Sequence, residues 1–209
     1  MSKFYYTRFK CWVDSFTTPN FKTHLIYCFG KNMARSKKPF NDTADKTWGA
    51  PIISFQEFAK LRSKLGKVVA TSGGFDPIHP GHISCIIDSK KYGDVLVAIV
   101  NGDAFLTAKK GRPFQNLETR CLIVSGIVGV DYVIPFEIHD DQTVAKALDS
   151  LKPDVFTKGG DRVALSSLPD AEREAIEKNN IKVVFGVGED KKWSSSWFLK
   201  EWDEANDKT

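Results

Sequence analysis

The chain has 209 residues, 42% of them hydrophobic and 27% charged, with a formal net charge of +4; these values fit one well-buried soluble domain with an appendage and exclude whole-chain disorder. Four cysteines, Cys11, Cys28, Cys85 and Cys121, lie far apart with no paired spacing, which argues against a disulfide framework or a thiolate zinc site and for a reducing, cytoplasmic setting. No stretch approaches the roughly 18 to 20 apolar residues of a bilayer span, and the N-terminus lacks the apolar core of a secretory signal, so neither a membrane-spanning nor an exported protein is expected.

Residues 1–66 form an N-terminal extension that is rich in aromatics and broken by polar runs such as "TTPN" and "ARSKKPFNDTADKT". Residues 1–46 carry nine Lys/Arg against three Asp/Glu, whereas the remainder carries 21 against 23. A nucleic-acid or membrane-surface contact by this basic segment is weighed against a loosely docked extension, and the latter is the plainer reading. Met33, followed by Ala34, leaves open a start inside the segment. "ISFQEFAKLRSKLG" (53–66) has helical spacing and ends at Gly66, so a leading helix is expected there.

From Lys67 the pattern changes. The runs "KVVAT", "DVLVAIVN", "DYVIPF", "DVFTKGG" and "IKVVFGV" read as strands, and helical stretches begin near Gly81, Leu117, Thr143, Leu168 and Ser195. The strand runs are almost continuously apolar, as expected for a sheet covered on both faces. The fold class expected for 67–209 is therefore α/β: Rossmann-like, doubly wound, with a mostly parallel five-stranded sheet and helices on both faces. Ligands of such sheets bind beyond the carboxyl ends of the strands.

The first strand runs directly into "GGFDPIHPGH" (73–82). Gly73 and Gly74 allow backbone N–H groups to approach a polyphosphate, Pro77 stiffens the turn, and the helix starting near Gly81 adds free N–H groups and the positive end of its dipole. His79 and His82, three apart across the loop-to-helix junction, can project into one pocket. On spacing alone they are equally a pair of surface or capping residues, and zinc is disfavoured because no third ligand is evident beyond the distant His139.

"GGFDPIHPGH" resembles the signature Gly-x-Phe-Asp-x-x-His-x-Gly-His of the cytidylyltransferase-like nucleotidyltransferases, with Gly73, Phe75, Asp76, His79, Gly81 and His82 at its fixed positions. "KKGRPFQNLETR" (109–120), "TKGGD" (157–161) and "WSSSWFL" (193–199) are similar to later segments of that family, so the likeness runs from about Lys67 to Trp202. It implies an enzyme that moves a nucleoside monophosphate from an NTP to a phosphorylated acceptor and releases pyrophosphate. His79, His82 and Lys109 or Lys110 would be its catalytic groups. Gly73, Gly74, Phe75, Asp76, Gly81, Gly159, Asp161, Ser194, Ser195 and Ser196 would bind the nucleotide, and Arg112 and Arg120 the acceptor or a phosphate. Such chemistry needs alignment and positive charge around the α-phosphate more than a strong base. One departure stands out: "GVGEDKKW" replaces the family's usual Arg/Thr-Glu-Gly run before the serines, and Lys191 or Lys192 could supply the missing charge.

"GRP" before "LETR", together with "KGGD", most resembles the heptose-phosphate adenylyltransferase branch, with glycerol-phosphate cytidylyltransferases second. The resemblance thus favours ATP over CTP and a sugar- or polyol-phosphate acceptor, with Mg²⁺ accompanying the NTP, no dedicated metal ligands in the protein, and a homodimer. A nucleotide sensor without turnover is the non-enzymatic alternative.

Overall fold

The computed structural model describes residues 49–139, 143–160, 162–189 and 192–206. The expectations for the basic N-terminal segment and for Met33 lie outside them. In chain order the described elements are α1 (Phe55–Arg62), β1 (Val68–Gly73), α2 (Pro80–Ser89), β2 (Val95–Asn101), α3 (Asp103–Lys110), α4 (Leu117–Ser125), β3 (Tyr132–Phe136), α5 (Ala145–Leu151), β4 (Val155–Thr157), α6 (Asp170–Lys178), β5 (Lys182–Val184) and α7 (Ser195–Asn206), with short 3₁₀ turns at Lys90–Tyr92 and Leu165–Ser167. No helix among the described residues is long and apolar enough to cross a membrane.

The five strands form one sheet in the order β3-β2-β1-β4-β5, and every pairing is parallel. Because successive side chains point to opposite faces, Val68, Ala70, Val97 and Ile99 pack on one side with Phe58 of α1, Leu148 of α5 and Ile176 of α6. Val69, Leu96, Ala98 and Val100 pack on the other with Ile86 of α2 and Cys121 and Val124 of α4. Both faces are therefore covered, which explains the unbroken apolar strands. The chain winds outward from β1 to β3 and then returns to β4, so the order reverses between β1 and β4, where a ligand crevice is expected.

Two features depart from the sequence reading. α1 opens with a capping box, Ser54 with Glu57, but ends at Arg62, short of Gly66. It packs into the same core as the strands through Phe58, and Ile52 bridges Val133 of β3. The second departure is α3, which the sequence reading passes over. Its first N–H groups are satisfied by Glu137, whose carboxylate accepts from Asp103 N (2.7 Å) and Ala104 N (3.0 Å). A cap supplied from 34 residues away leaves no local start signal.

Candidate active site

Over the carboxyl ends of β1, β2 and β4 lies a cavity of about 420 Å³. Its floor is the loop after β1 and the first turn of α2. His79 is the N-cap of that helix, with Pro80 at the first helical position; its Nδ1 accepts from His82 N at 3.3 Å. This bond leaves the proton of a neutral His79 on Nε2, an assignment that follows from the hydrogen-bond pattern. The two imidazoles stack with centroids 3.6 Å apart, and Phe75 meets His82 edge-on at 5.3 Å. His82 Nδ1 is buried with no hydrogen-bond partner among the described residues.

Burial lowers the pKa of His79, and burial together with the charges of His79, Lys110 and Lys109 pushes that of His82 from 6.5 down to about 3. Both rings are therefore neutral near pH 7 in the free protein. A histidine with a depressed folded-state pKa binds fewer protons in the native than in the unfolded state at intermediate pH, so its contribution is complete above 6.5 and is lost as pH falls toward 3. His82→Gln, which cannot titrate, should therefore show a shallower fall of thermal midpoint across that window than the wild type. Parallel slopes would show that His82 is not held neutral.

Of the paired lysines, the structure separates two roles. Lys110 Nζ donates to Asp76 O (2.6 Å) and pairs with Asp76 Oδ2 (2.7 Å). The buried Asp76 carboxylate also accepts from Phe114 N and Gln115 N, both at 2.8 Å. Asp76 and Lys110 thus shape the turn between α3 and α4, and the expectation that Asp76 touches nucleotide is corrected: its oxygens are already committed. Lys109 instead lines the cavity, its ammonium 6.0 Å from the Phe105 ring centre.

Arg120 is the larger correction. Its side chain is fully buried, and its guanidinium donates through Nε to Gln115 O (2.9 Å), through Nη1 to Gly74 O (2.7 Å) and Asn101 O (2.6 Å), and through Nη2 to Asp103 Oδ1 (2.6 Å). With four donor directions used, it has no phosphate to clamp and no face on the cavity. It ties the ends of β1 and β2 together beneath the site. Arg112 is exposed and is not part of the cavity wall.

Gly73, Gly74, Phe75, Gly81 and Gly159 all line the cavity. A Cβ on Gly159 would lie 2.7 Å from Cys85 Sγ and 3.0 Å from Val187 O, so only glycine lets β4 end this close to α2. Asp161 lies outside the described residues. Ser194, Ser195 and Ser196 open α7 onto the cavity; Ser194 O accepts from Phe198 N, and Ser195 Oγ donates to Pro77 O at 3.0 Å, which holds the α7 start against the α2 loop. Lys192 and Trp193 also line the cavity, and Trp193 stacks on Phe198 with centroids 5.7 Å apart. The sequence reading misses Asn101, Lys158 and Glu172, all cavity residues. Lys158 was legible, since it precedes two glycines at a strand end. Glu172 was not, because "PDAEREAIEK" has the look of a solvated helix.

Residues 70–201 match the cytidylyltransferase-like family. The chain is 38% identical over 105 residues to the bifunctional protein HldE of Haemophilus influenzae (strain PittEE), 49% of this chain and 21% of that protein. It is 40% identical over 111 residues to HldE of Wolinella succinogenes, 52% and 23%. The chain thus spans about a fifth of the length of these curated relatives. Among solved structures, the lipopolysaccharide core biosynthesis protein of Thermoplasma volcanium GSS1 superposes with a TM-score of 0.50 at 29% identity, covering 60% of this chain and 99% of that one. With the motif residues gathered at the carboxyl ends of a parallel sheet and the family match running through most of the chain, this protein belongs to the cytidylyltransferase-like family.

Proposed function

We propose that this nucleotidyltransferase moves a nucleoside monophosphate from an NTP, with ATP favoured, to a sugar-phosphate or polyol-phosphate acceptor and releases pyrophosphate. The observation that carries this reading is the stacked pair His79 and His82 at the N-terminus of α2, facing the serine-lined start of α7 across one cavity. A triphosphate laid between these two helix starts meets unsatisfied backbone N–H groups and two positive dipole ends. His79 Nε2–H is a ready donor to a phosphate oxygen. An acceptor phosphate oxygen attacks the α-phosphorus, the bond to the β-phosphate oxygen breaks, and pyrophosphate leaves. Since the attacking oxygen is already anionic, no base has to remove a proton, and the protein's task is to align the groups and offset charge with Lys109, Lys192 and the imidazole donors. Mg²⁺ is expected to arrive on the triphosphate, bound chiefly by phosphate oxygens and water, and to neutralise part of its charge.

ATP is favoured by the resemblance of "GRP", "LETR" and "KGGD" to heptose-phosphate adenylyltransferases and by the similarity to HldE proteins. The Thermoplasma neighbour, described as a lipopolysaccharide core biosynthesis protein, supports a sugar-phosphate acceptor. The test is pyrophosphate release with ATP and CTP separately against a panel of sugar and polyol phosphates. Release that depends on one acceptor supports the reading; NTP binding without release across the panel favours a nucleotide sensor.

The two lysines should separate in the same assay. Lys109→Ala is expected to lower kcat/KM by about 10- to 100-fold, the worth of one charge-assisted contact, with an unchanged thermal midpoint. Lys110→Ala should destabilise by about 1–3 kcal/mol because it strips a buried carboxylate of its counter-ion. Equal thermal shifts for the two variants would contradict this division.

A further inference from the structure

We propose that Phe105 determines which acceptor the enzyme takes: its ring is a platform for the apolar face of the acceptor's carbon skeleton, beside the Lys109 ammonium that meets the acceptor's phosphate. The proposal rests on the transferase reading above.

The position of the ring follows from how α3 is held. At its start, Asp103 N and Ala104 N donate to the Glu137 carboxylate, and Asp103 Oδ1 accepts from Arg120 Nη2 at 2.6 Å. At its end, Lys110 is tied to Asp76. Between the two, Leu106 is buried against the turn after β1, where a Cβ on Gly74 would lie 2.7 Å from Leu106 Cδ2. A helix fixed at both ends and along this side cannot rotate about its axis. Phe105 and Lys109, one turn apart on a common face, are thereby directed into the cavity that both line.

The ring is not spent on packing against another ring. Of the Phe and Trp side chains that line the cavity, Phe75 is buried and edge-on to His82, and Trp193 stacks on Phe198. Phe105 is half-buried, and among the described residues the contact recorded for its ring is the Lys109 ammonium, 6.0 Å from its centre. A half-buried phenyl ring leaves apolar surface in water that a ligand can cover.

The stereochemistry of the displacement assigns this wall to the acceptor. The attacking and leaving oxygens lie roughly in line, on opposite sides of the phosphorus. In the reading above, the leaving pyrophosphate belongs to the serine-lined start of α7. α7 follows β5, and β4 and β5 lie on one side of β1, whereas β2, which leads into α3, lies on the other. The acceptor phosphate therefore approaches from the α3 side, where Lys109 stands. A sugar or polyol phosphate brings an anionic end to this ammonium and, next to it, C–H groups to the ring. The nucleobase of the NTP has an apolar face as well, and the experiment separates the two sources.

The test uses the full-length protein with Mg²⁺, the NTP and the sugar or polyol phosphate that support pyrophosphate release, and the variants Phe105→Ala, Phe105→Leu and Phe105→Tyr. Phe105→Ala should raise the KM of the acceptor by about 5- to 30-fold and leave that of the NTP within about twofold, as expected when a partly covered aromatic contact is lost. Phe105→Tyr, which restores the ring, should return the acceptor KM to within about threefold of wild type, with Phe105→Leu between the two. Should Phe105→Ala not fold, Phe105→Leu against Phe105→Tyr carries the comparison. An unchanged acceptor KM overturns the platform. So does a rise confined to the NTP or shared equally with it, which would seat the nucleobase on the ring or loosen the whole cavity. A loss of kcat with both KM values unchanged also overturns it, because the ring would then only position α3. A wild type that releases no pyrophosphate with any acceptor overturns the transferase reading and the platform with it, whereas turnover with an unaltered acceptor KM overturns the platform alone.

Discussion

His82→Ala should lower kcat for pyrophosphate release by about 10²- to 10³-fold while the protein remains folded, if, as proposed, the ring serves the reacting phosphate. The effect is expected mainly in kcat: the ring is half of a stack 3.6 Å deep, and charge on the triphosphate changes most at the α-phosphate as the bond to the leaving group breaks. Among the described residues, His82 Nδ1 is buried without a hydrogen-bond partner, an unusual state for a polar atom in a folded protein. A His82→Asn variant, which keeps a donor, should recover part of the rate. Steady-state kinetics decide the matter, and a His82→Ala enzyme with wild-type kcat and a raised KM would reduce the ring to a ground-state contact.

Arg120→Met should cost about 3–5 kcal/mol of stability, the largest loss expected for any single side chain near the site. The guanidinium is fully buried and bonded to three carbonyls and one carboxylate. Methionine fills most of the volume but leaves Gly74 O, Asn101 O and Gln115 O without the donors that Arg120 supplies. Arg120→Lys should do little better, since one ammonium cannot span acceptors that a planar fork reaches in several directions. Denaturant unfolding is the measurement. Stability within about 1 kcal/mol of wild type would mean that water or a rearranged loop satisfies those carbonyls.

These two residues also show which parts of the molecule were legible in the sequence. The sheet was legible because its strands are apolar on both faces, and even Pro135 fits, since β3 lies at the sheet edge where a missing N–H is tolerated. The histidines were legible through the fixed spacing of a short local motif. Arg120 was not, because an arginine at a helix start looks the same whether it faces a phosphate or the ends of two strands; the carbonyls that hold it come from residues 19 and 46 positions away. The split between Lys109 and Lys110 depends on a helix whose cap, Glu137, is equally remote. Glu172 lies on a helix with a charged repeat, and only the packing of α6 against β4 turns it into the cavity. What sequence left open in each case was a polar contact made across the sheet.

The most direct test of the central claim follows the phosphorus. With ATP labelled separately at the α- and γ-phosphates and an acceptor that supports turnover, the account predicts α-label in the acceptor product and γ-label in pyrophosphate, with neither transfer in the absence of acceptor. Transfer of γ-label to the acceptor, or release of orthophosphate without α-label in a product, would contradict it.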